Sequence, residues 1–404
     1  MKSISIKKTT NILIILPLIL LLFSVSCRKE LKITGPVQSA DVVATRYLVA
    51  SDFLGKKLRG FDLGPVPTLS VLSGKNLAKA RATGANLARY WIRVKHDASN
   101  VYSFTDPGML NTLDSAVRLS EKIGLYLIVT LEVLPNQGTC DLWGNTARKD
   151  GVKKIWQQLA TRYKGRKIIA AYDLINEPRI NTTTRAGSTT EYIAWQIDVI
   201  KAIRLIDPYH VIAVEVLNNG MLNEYSNIDI LFKNYKNLIA SPHGYSPLSI
   251  THQGYGGNNI RRVFPDPAST IYNSSTYFTK VSYWKVMADF KLHYPAVPIW
   301  VGEFACINWA PKNSFSQWTS TRWIEDAIKY MEANNISWCY HSWREWQGWD
   351  PEIPSSYYTK FTFSYGSPNM GSISNSTWST QRSSTAPTIM MLKKYFALNQ
   401  QTIY

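Results

Sequence analysis

Residues 168–179 read Ile-Ile-Ala-Ala-Tyr-Asp-Leu-Ile-Asn-Glu-Pro-Arg, a nearly continuous apolar run that stops at an amide, a carboxylate and a proline. The run reads as a buried strand. A strand that is apolar along its whole length is covered on both faces, as strands are in parallel sheets flanked by helices. The acid at its end, Glu177, has meaning only if a partner stands elsewhere in the chain.

Working outward, seven more runs of this kind appear. Together the expected strands are 58–63, 87–94, 126–133, 169–175, 211–217, 238–242, 298–304 and 337–343. Between them lie segments of helical period at 68–83, 107–123, 149–163, 191–206, 222–235, 276–293 and 321–334, and an eighth at 387–398 closes the series. Strict alternation of strand and helix implies a parallel sheet with helical crossovers. Eight such units predict an α/β fold, a (β/α)8 barrel over residues 55–404 with a long loop after the eighth strand. A doubly wound open sheet is the competing arrangement. It usually carries a glycine-rich nucleotide turn after its first strand, and Arg59-Gly60-Phe61-Asp62-Leu63-Gly64 does not match that fingerprint.

A barrel of this type places its chemistry where strands end and the following loops begin. Those positions hold Arg89, Glu132, Asn176 with Glu177, Glu215, His243 with Tyr245, Glu303, and His341 with Trp343. Glu177 ends the fourth strand and Glu303 the seventh, so the two can face each other across the barrel mouth. Two carboxyl groups across a cleft are the minimum equipment for cleaving a glycosidic bond: one protonates the leaving oxygen, and the other attacks the anomeric carbon or activates water.

The same residues resemble glycoside hydrolase family 5, the cellulase-like family, and the wider clan of retaining (β/α)8 glycosidases. The resemblance rests on Gly84-Ala85-Asn86-Leu87-Ala88-Arg89, Asn176-Glu177-Pro178, His243-Gly244-Tyr245, Gly302-Glu303-Phe304 and, more loosely, Trp343 in Tyr340-His341-Ser342-Trp343-Arg344. It implies Glu177 as acid/base and Glu303 as nucleophile, with Arg89 and Tyr245 holding Glu303 charged and aimed. It further implies that Asn176 bonds the sugar 2-hydroxyl, that His243 contacts sugar or fixes the carboxylates, and that Trp343 lies under the ring. Retention of configuration is likewise an implication of the resemblance. Neither a metal nor an organic cofactor is implied. One position departs from the pattern: Glu132, in Leu131-Glu132-Val133, stands where a histidine near the cleaved sugar is usual. A third acid there would alter the hydroxyls recognised and would raise the pKa of Glu177. Glu215 fits no family role and reads as structural.

Composition sets the surroundings. The 404-residue chain is 12% aromatic, with 14 Trp and 23 Tyr. Such a surplus serves either a core or flat apolar faces for sugar rings. Trp346 and Trp349, in the long segment 345–385, are expected either to wall a subsite or to plug that loop. Lys7 and Lys8 precede an apolar run over 12–23 that ends at Ser24-Val25-Ser26-Cys27, the pattern of a signal peptide. The cysteine resembles that of a relaxed bacterial lipobox. It predicts a signal over 1–26, lipidation of Cys27, a tether through residue 54, and export to the periplasm or outer-membrane surface. Cleavage of an ordinary signal nearby is the alternative. Loss of Lys2, Lys7 and Lys8 would leave +14 of the formal +17 charge. The basic residues are scattered and read as a solvated surface, an acidic glycan being the lesser alternative, so no nucleic acid is expected; the resemblance implies a carbohydrate partner, and the protein is expected to be a monomer. Cys140, Cys306 and Cys339 match no zinc spacing and allow at most one disulfide.

Overall fold

The computed structural model describes residues 44–54, 58–64, 74–134, 142–179, 185–222, 228–255, 257–273, 277–280, 282–369 and 375–399. Eight parallel strands follow one another around a single axis: β1 (Arg59–Asp62), β2 (Leu87–His96), β3 (Tyr126–Leu134), β4 (Ile169–Asp173), β5 (Val211–Glu215), β6 (Leu238–Ser241), β7 (Trp300–Val301) and β8 (Ser337–His341). Each pairs with its neighbour in chain order, and β1 also pairs with β8. The β6–β7 seam is closed by single bridges, Ala240 to Ile299 and His243 to Glu303. The Ala240 N–H donates to the Pro298 carbonyl at 3.0 Å, and the Gly302 N–H to the Pro242 carbonyl at 3.1 Å. The circle makes the chain a (β/α)8 barrel, and the described residues belong to one compact unit.

All eight expected strands are present, because full burial writes each one as an unbroken apolar run. The helices cover them with one face only. Met109–Ile123 buries Met109, Leu113, Ala116, Val117 and Ser120 at three-to-four spacing, and Gly124 ends it at φ 63°. Among the described residues of the expected helix 222–235, Asp229–Asn234 is helical. Just before it, Asn218, Asn219 and Gly220 take left-handed backbone angles and turn the chain sharply, so that the Gly220 carbonyl accepts from the His243 N–H at 2.7 Å. Among the described residues of the expected helix 276–293, Tyr277–Lys280 and Ser282–His293 are helical. Among the described residues no helix is long and apolar enough to cross a membrane.

The expected tether ends earlier than residue 54. Ala44, Leu48 and Phe53 are buried in the core, and the Tyr47 ring stacks on Tyr209 at 4.9 Å. The Ser337 hydroxyl donates to the Phe53 carbonyl at 2.8 Å, which ties this segment to β8. The expected signal over 1–26, the lipidated Cys27 and Cys140 lie outside the described residues. Cys306 and Cys339 are both buried free thiols, each lodged in the core as a small apolar group.

Candidate active site

Strand register brings the polar residues to one end of the barrel. Asp62 pairs with both Arg89 and His341, Glu215 with Ser241, and His243 with Glu303. The barrel interior is apolar below this level and ionic at it. At its centre is Arg89, with no exposure to solvent. Its Nη1 donates to Glu303 Oε1 at 2.5 Å and to Asp62 Oδ2 at 3.1 Å; its Nη2 donates to Asp173 at 2.7 Å, Glu215 at 2.6 Å and Asn176 Oδ1 at 2.9 Å. The planar five-donor fork is the one side chain able to serve so many oxygens from a fixed point.

Glu303 is held from two sides. Arg89 takes Oε1, and the Tyr245 hydroxyl donates to Oε2 at 2.8 Å. Burial pushes this carboxyl above the usual range; the His243, His341 and Arg89 charges pull against burial, and Asp62 adds to it.

Glu177 is the more exposed carboxyl, at 19% of its side chain. It sits at φ 47°, a left-handed angle that costs a non-glycine residue roughly 1 kcal/mol. The angle turns its N–H onto Glu215 Oε2 at 2.6 Å, and that charge-assisted bond offsets the strain. His243 Nδ1 lies 3.0 Å from Glu177 Oε1, and Nε2 lies 3.5 Å from Glu215. Burial opposes ionisation of Glu177, but the His243 hydrogen bond and charge, with Arg89 and His341, outweigh it and hold the carboxyl below its ordinary value. His243 is correspondingly held well above the imidazole range: burial opposes its charge, and Glu303, Glu215 and Glu177 prevail. Both shifts favour the proton of the Glu177–His243 pair on the imidazole. One oxygen of Glu177 and one of Glu303 lie within 4.8 Å of each other and of a His243 nitrogen. That grouping, and Asp62 with Glu303 and His341, are the sets among the described residues whose donor atoms stand close enough for a metal ion. Their negative charge is already met by Arg89 and the imidazoles.

The structure thus gathers Arg89, Asn176, Glu177, His243, Tyr245 and Glu303 at one mouth. Glu132 is at the rim, but Arg93, its register partner across β2 and β3, donates to it. It is a paired acid, and Glu177 is lowered rather than raised in its company. Trp343 departs from expectation. It is 1% exposed, its ring packs on Phe61 at 4.6 Å, and its indole N–H donates to the Asn76 carbonyl at 3.2 Å, so it offers no face to a sugar. The chain leaves the sheet at His341, and Trp343 turns to the helix side of β1. Trp346 is half-buried against Tyr255 at 5.1 Å and Trp309 at 5.3 Å, while Trp349 is buried beside Tyr245 at 6.1 Å. Both rings pack into the loop, and Tyr255, half-exposed, continues this aromatic group to the surface.

Sequence reasoning passed over Asp62, Asp173 and Glu345, and took Glu215 as structural. Asp62, Asp173 and Glu215 are the last residues of β1, β4 and β5, and that position was the available signal. Asp62 also accepts from the Trp91 indole at 2.6 Å, and Glu215 from the Glu177 N–H.

A parallel barrel with two carboxyls converging beside an arginine and a tyrosine is an arrangement suited to cleaving a glycosidic bond. Comparison with known proteins agrees. The family model described as cellulase (glycosyl hydrolase family 5) matches residues 70–347, and the chain belongs to that family. A beta-xylosidase of Phanerodontia chrysosporium is 28% identical over 145 residues, 33% of this chain and 29% of its own. Endoglucanase H of Acetivibrio thermocellus is 24% identical over 251 residues, 59% of this chain and 24% of its own. The chain thus spans less than a third of either curated relative. The endoglucanase Cel5A of Thermotoga maritima superposes with a TM-score of 0.61 at 18% identity, covering 77% of this chain and 96% of that one, a likeness of fold.

Proposed function

We propose that the protein, a family 5 glycoside hydrolase, cleaves a β-glucan or β-mannan type chain by double displacement, with Glu303 as nucleophile and Glu177 as acid and base. The observation that carries this reading is the approach of the two carboxylates to within 4.8 Å, with Arg89 and Tyr245 on Glu303. Inverting enzymes keep about 6.5–9.5 Å open for water, and retaining ones about 5–5.5 Å. The endoglucanase among the relatives supports a β-glucan backbone.

In the first step Glu303 attacks the anomeric carbon, the glycosidic C–O bond breaks, and Glu177 gives its proton to the departing oxygen. The sugar covers the exposed edge of Glu177 and removes the water that favours the ion pair. The shared proton then crosses the 3.0 Å bond from His243 to the carboxyl, since neutral forms gain when both charges are desolvated. In the second step Glu177 takes a proton from water, the oxygen attacks the anomeric carbon, and Glu303 leaves as a carboxylate. Asn176, fixed by Arg89, presents its amide to the 2-hydroxyl.

Glu177→Ala is expected to lose about 10²–10⁴-fold in kcat/KM on polysaccharide, the range of a general acid. It should lose far less on aryl glycosides whose leaving group needs no proton, and azide should restore turnover as the β-glycosyl azide. Equal losses on both substrate types would sink the assignment. Export and anchoring through Cys27 belong to the same proposal and rest on the sequence pattern. Cys27→Ser should shift the protein from the membrane to the soluble fraction, and an unchanged distribution would contradict anchoring.

A further inference from the structure

We propose that His341 is a positioning residue for the nucleophile: a cationic imidazole, held from behind by Glu345, that keeps Glu303 ionised and aimed. The proposal rests on Glu303 being the nucleophile and adds a residue that the reaction scheme above does not use.

His341 ends β8 and is 8% exposed. Its Nδ1 lies 3.6 Å from Glu303 Oε2 and 3.5 Å from Asp62 Oδ2; its Nε2 lies 3.3 Å from Glu345 Oε2. Neither Nδ1 of His341 nor Oε2 of Glu345 has a hydrogen-bond partner among the described residues, so each is buried facing only these charges. A neutral imidazole has one N–H and would turn a lone pair toward a carboxylate on one side or the other. Carboxylates on both sides therefore select the doubly protonated ring. Glu345 reaches this place because Gly64, at φ 71°, leaves it room: a Cβ there would stand 2.1 Å from Oε2.

The groups facing the ring come from every neighbouring element. They are Asp62 on β1, Glu303 after β7, Glu345 after β8, and Tyr245 after β6, whose ring is 6.1 Å away. Arg89 on β2 touches Asp62 and Glu303, and the charges of Glu177 and His252 also feel His341. Burial opposes charge on His341, but Glu303, Asp62 and Glu345 outweigh it and hold the ring at about 9. Burial pushes Glu345 up to about 7.

The test is the kcat/KM–pH profile on an activated aryl β-glycoside, where no acid catalyst is needed and the acid limb reports Glu303. In the wild type activity is lost as pH falls through the raised Glu303 value, so the limb should lie above the ordinary glutamate range of about 4.3. In His341→Gln the limb should move up by about one to three pH units, the effect of removing an opposite charge at this range. A fall in kcat/KM with the limb unmoved would mean that His341 only packs, and would overturn the proposal. The reciprocal measurement does not need that variant to fold. Histidine-labelled NMR should show His341 losing its proton at least about one pH unit lower in Glu303→Gln than in the wild type, and an unchanged titration would overturn the proposal. Full turnover by Glu303→Ala in the same assay would remove the nucleophile reading itself, separating that failure from failure of the His341 proposal alone.

Discussion

Glu303→Ala is expected to lower kcat by about 10⁵-fold or more while leaving the fold intact. The size follows from the role: without the carboxylate no glycosyl ester forms, and the residual rate comes from binding and the remaining charges alone. The intact fold follows from the neighbours. Arg89 keeps Asp62, Asp173 and Glu215 as partners, so no buried charge is stranded. The Tyr245 hydroxyl loses its acceptor, a cost of about 1–3 kcal/mol that a barrel of this size tolerates. The melting transition should therefore stay cooperative and close to that of the wild type. Glu303→Ala with near-normal kcat would show that the nucleophile is elsewhere.

Arg89→Met should produce the largest loss of stability in the site. The guanidinium serves four carboxylates and an amide and is wholly buried, and methionine fills the space without the charge. Removing one partner from a buried ionic group costs about 3–5 kcal/mol, because the charges left behind are unpaired. The sign of its pH dependence is fixed. Without Arg89 the folded-state pKa values of Asp62, Glu215 and Glu303 rise, the native state binds more protons than the unfolded chain, and stability falls as pH rises. Denaturant titrations near pH 5 and pH 7.5 should show a deficit that is larger at the higher pH. A variant as stable as the wild type at both would mean that the network is not held by Arg89.

The barrel was legible because burial on both faces writes each strand as an apolar run, and helices between them repeat at their own period. Glu177 and Glu303 were legible because a strand end is the one place where such a run admits an acid. What escaped depends on direction and register. Trp343 follows the last residue of β8, where the alternation that tells inside from outside has stopped, and its ring went to Phe61. Glu132 looked like a free third acid until the β2–β3 register set Arg93 opposite it. Glu215 was seen and left unassigned, since its partner is the main chain of Glu177, 38 positions away in sequence. Glu345 lies in an aromatic-rich segment whose path back over Gly64 no local pattern announces.

The central claim, a covalent intermediate on Glu303, is tested most directly by trapping. A 2-deoxy-2-fluoro β-glycoside with a good leaving group slows both steps and, with the departure step favoured, accumulates the ester. Mass spectrometry of the inactivated protein should show one added fluoroglycosyl group, and peptide mapping should place it on Glu303 within Ile299-Trp300-Val301-Gly302-Glu303-Phe304. An unmodified protein that releases product of inverted configuration, or a label on Glu177, would contradict the account.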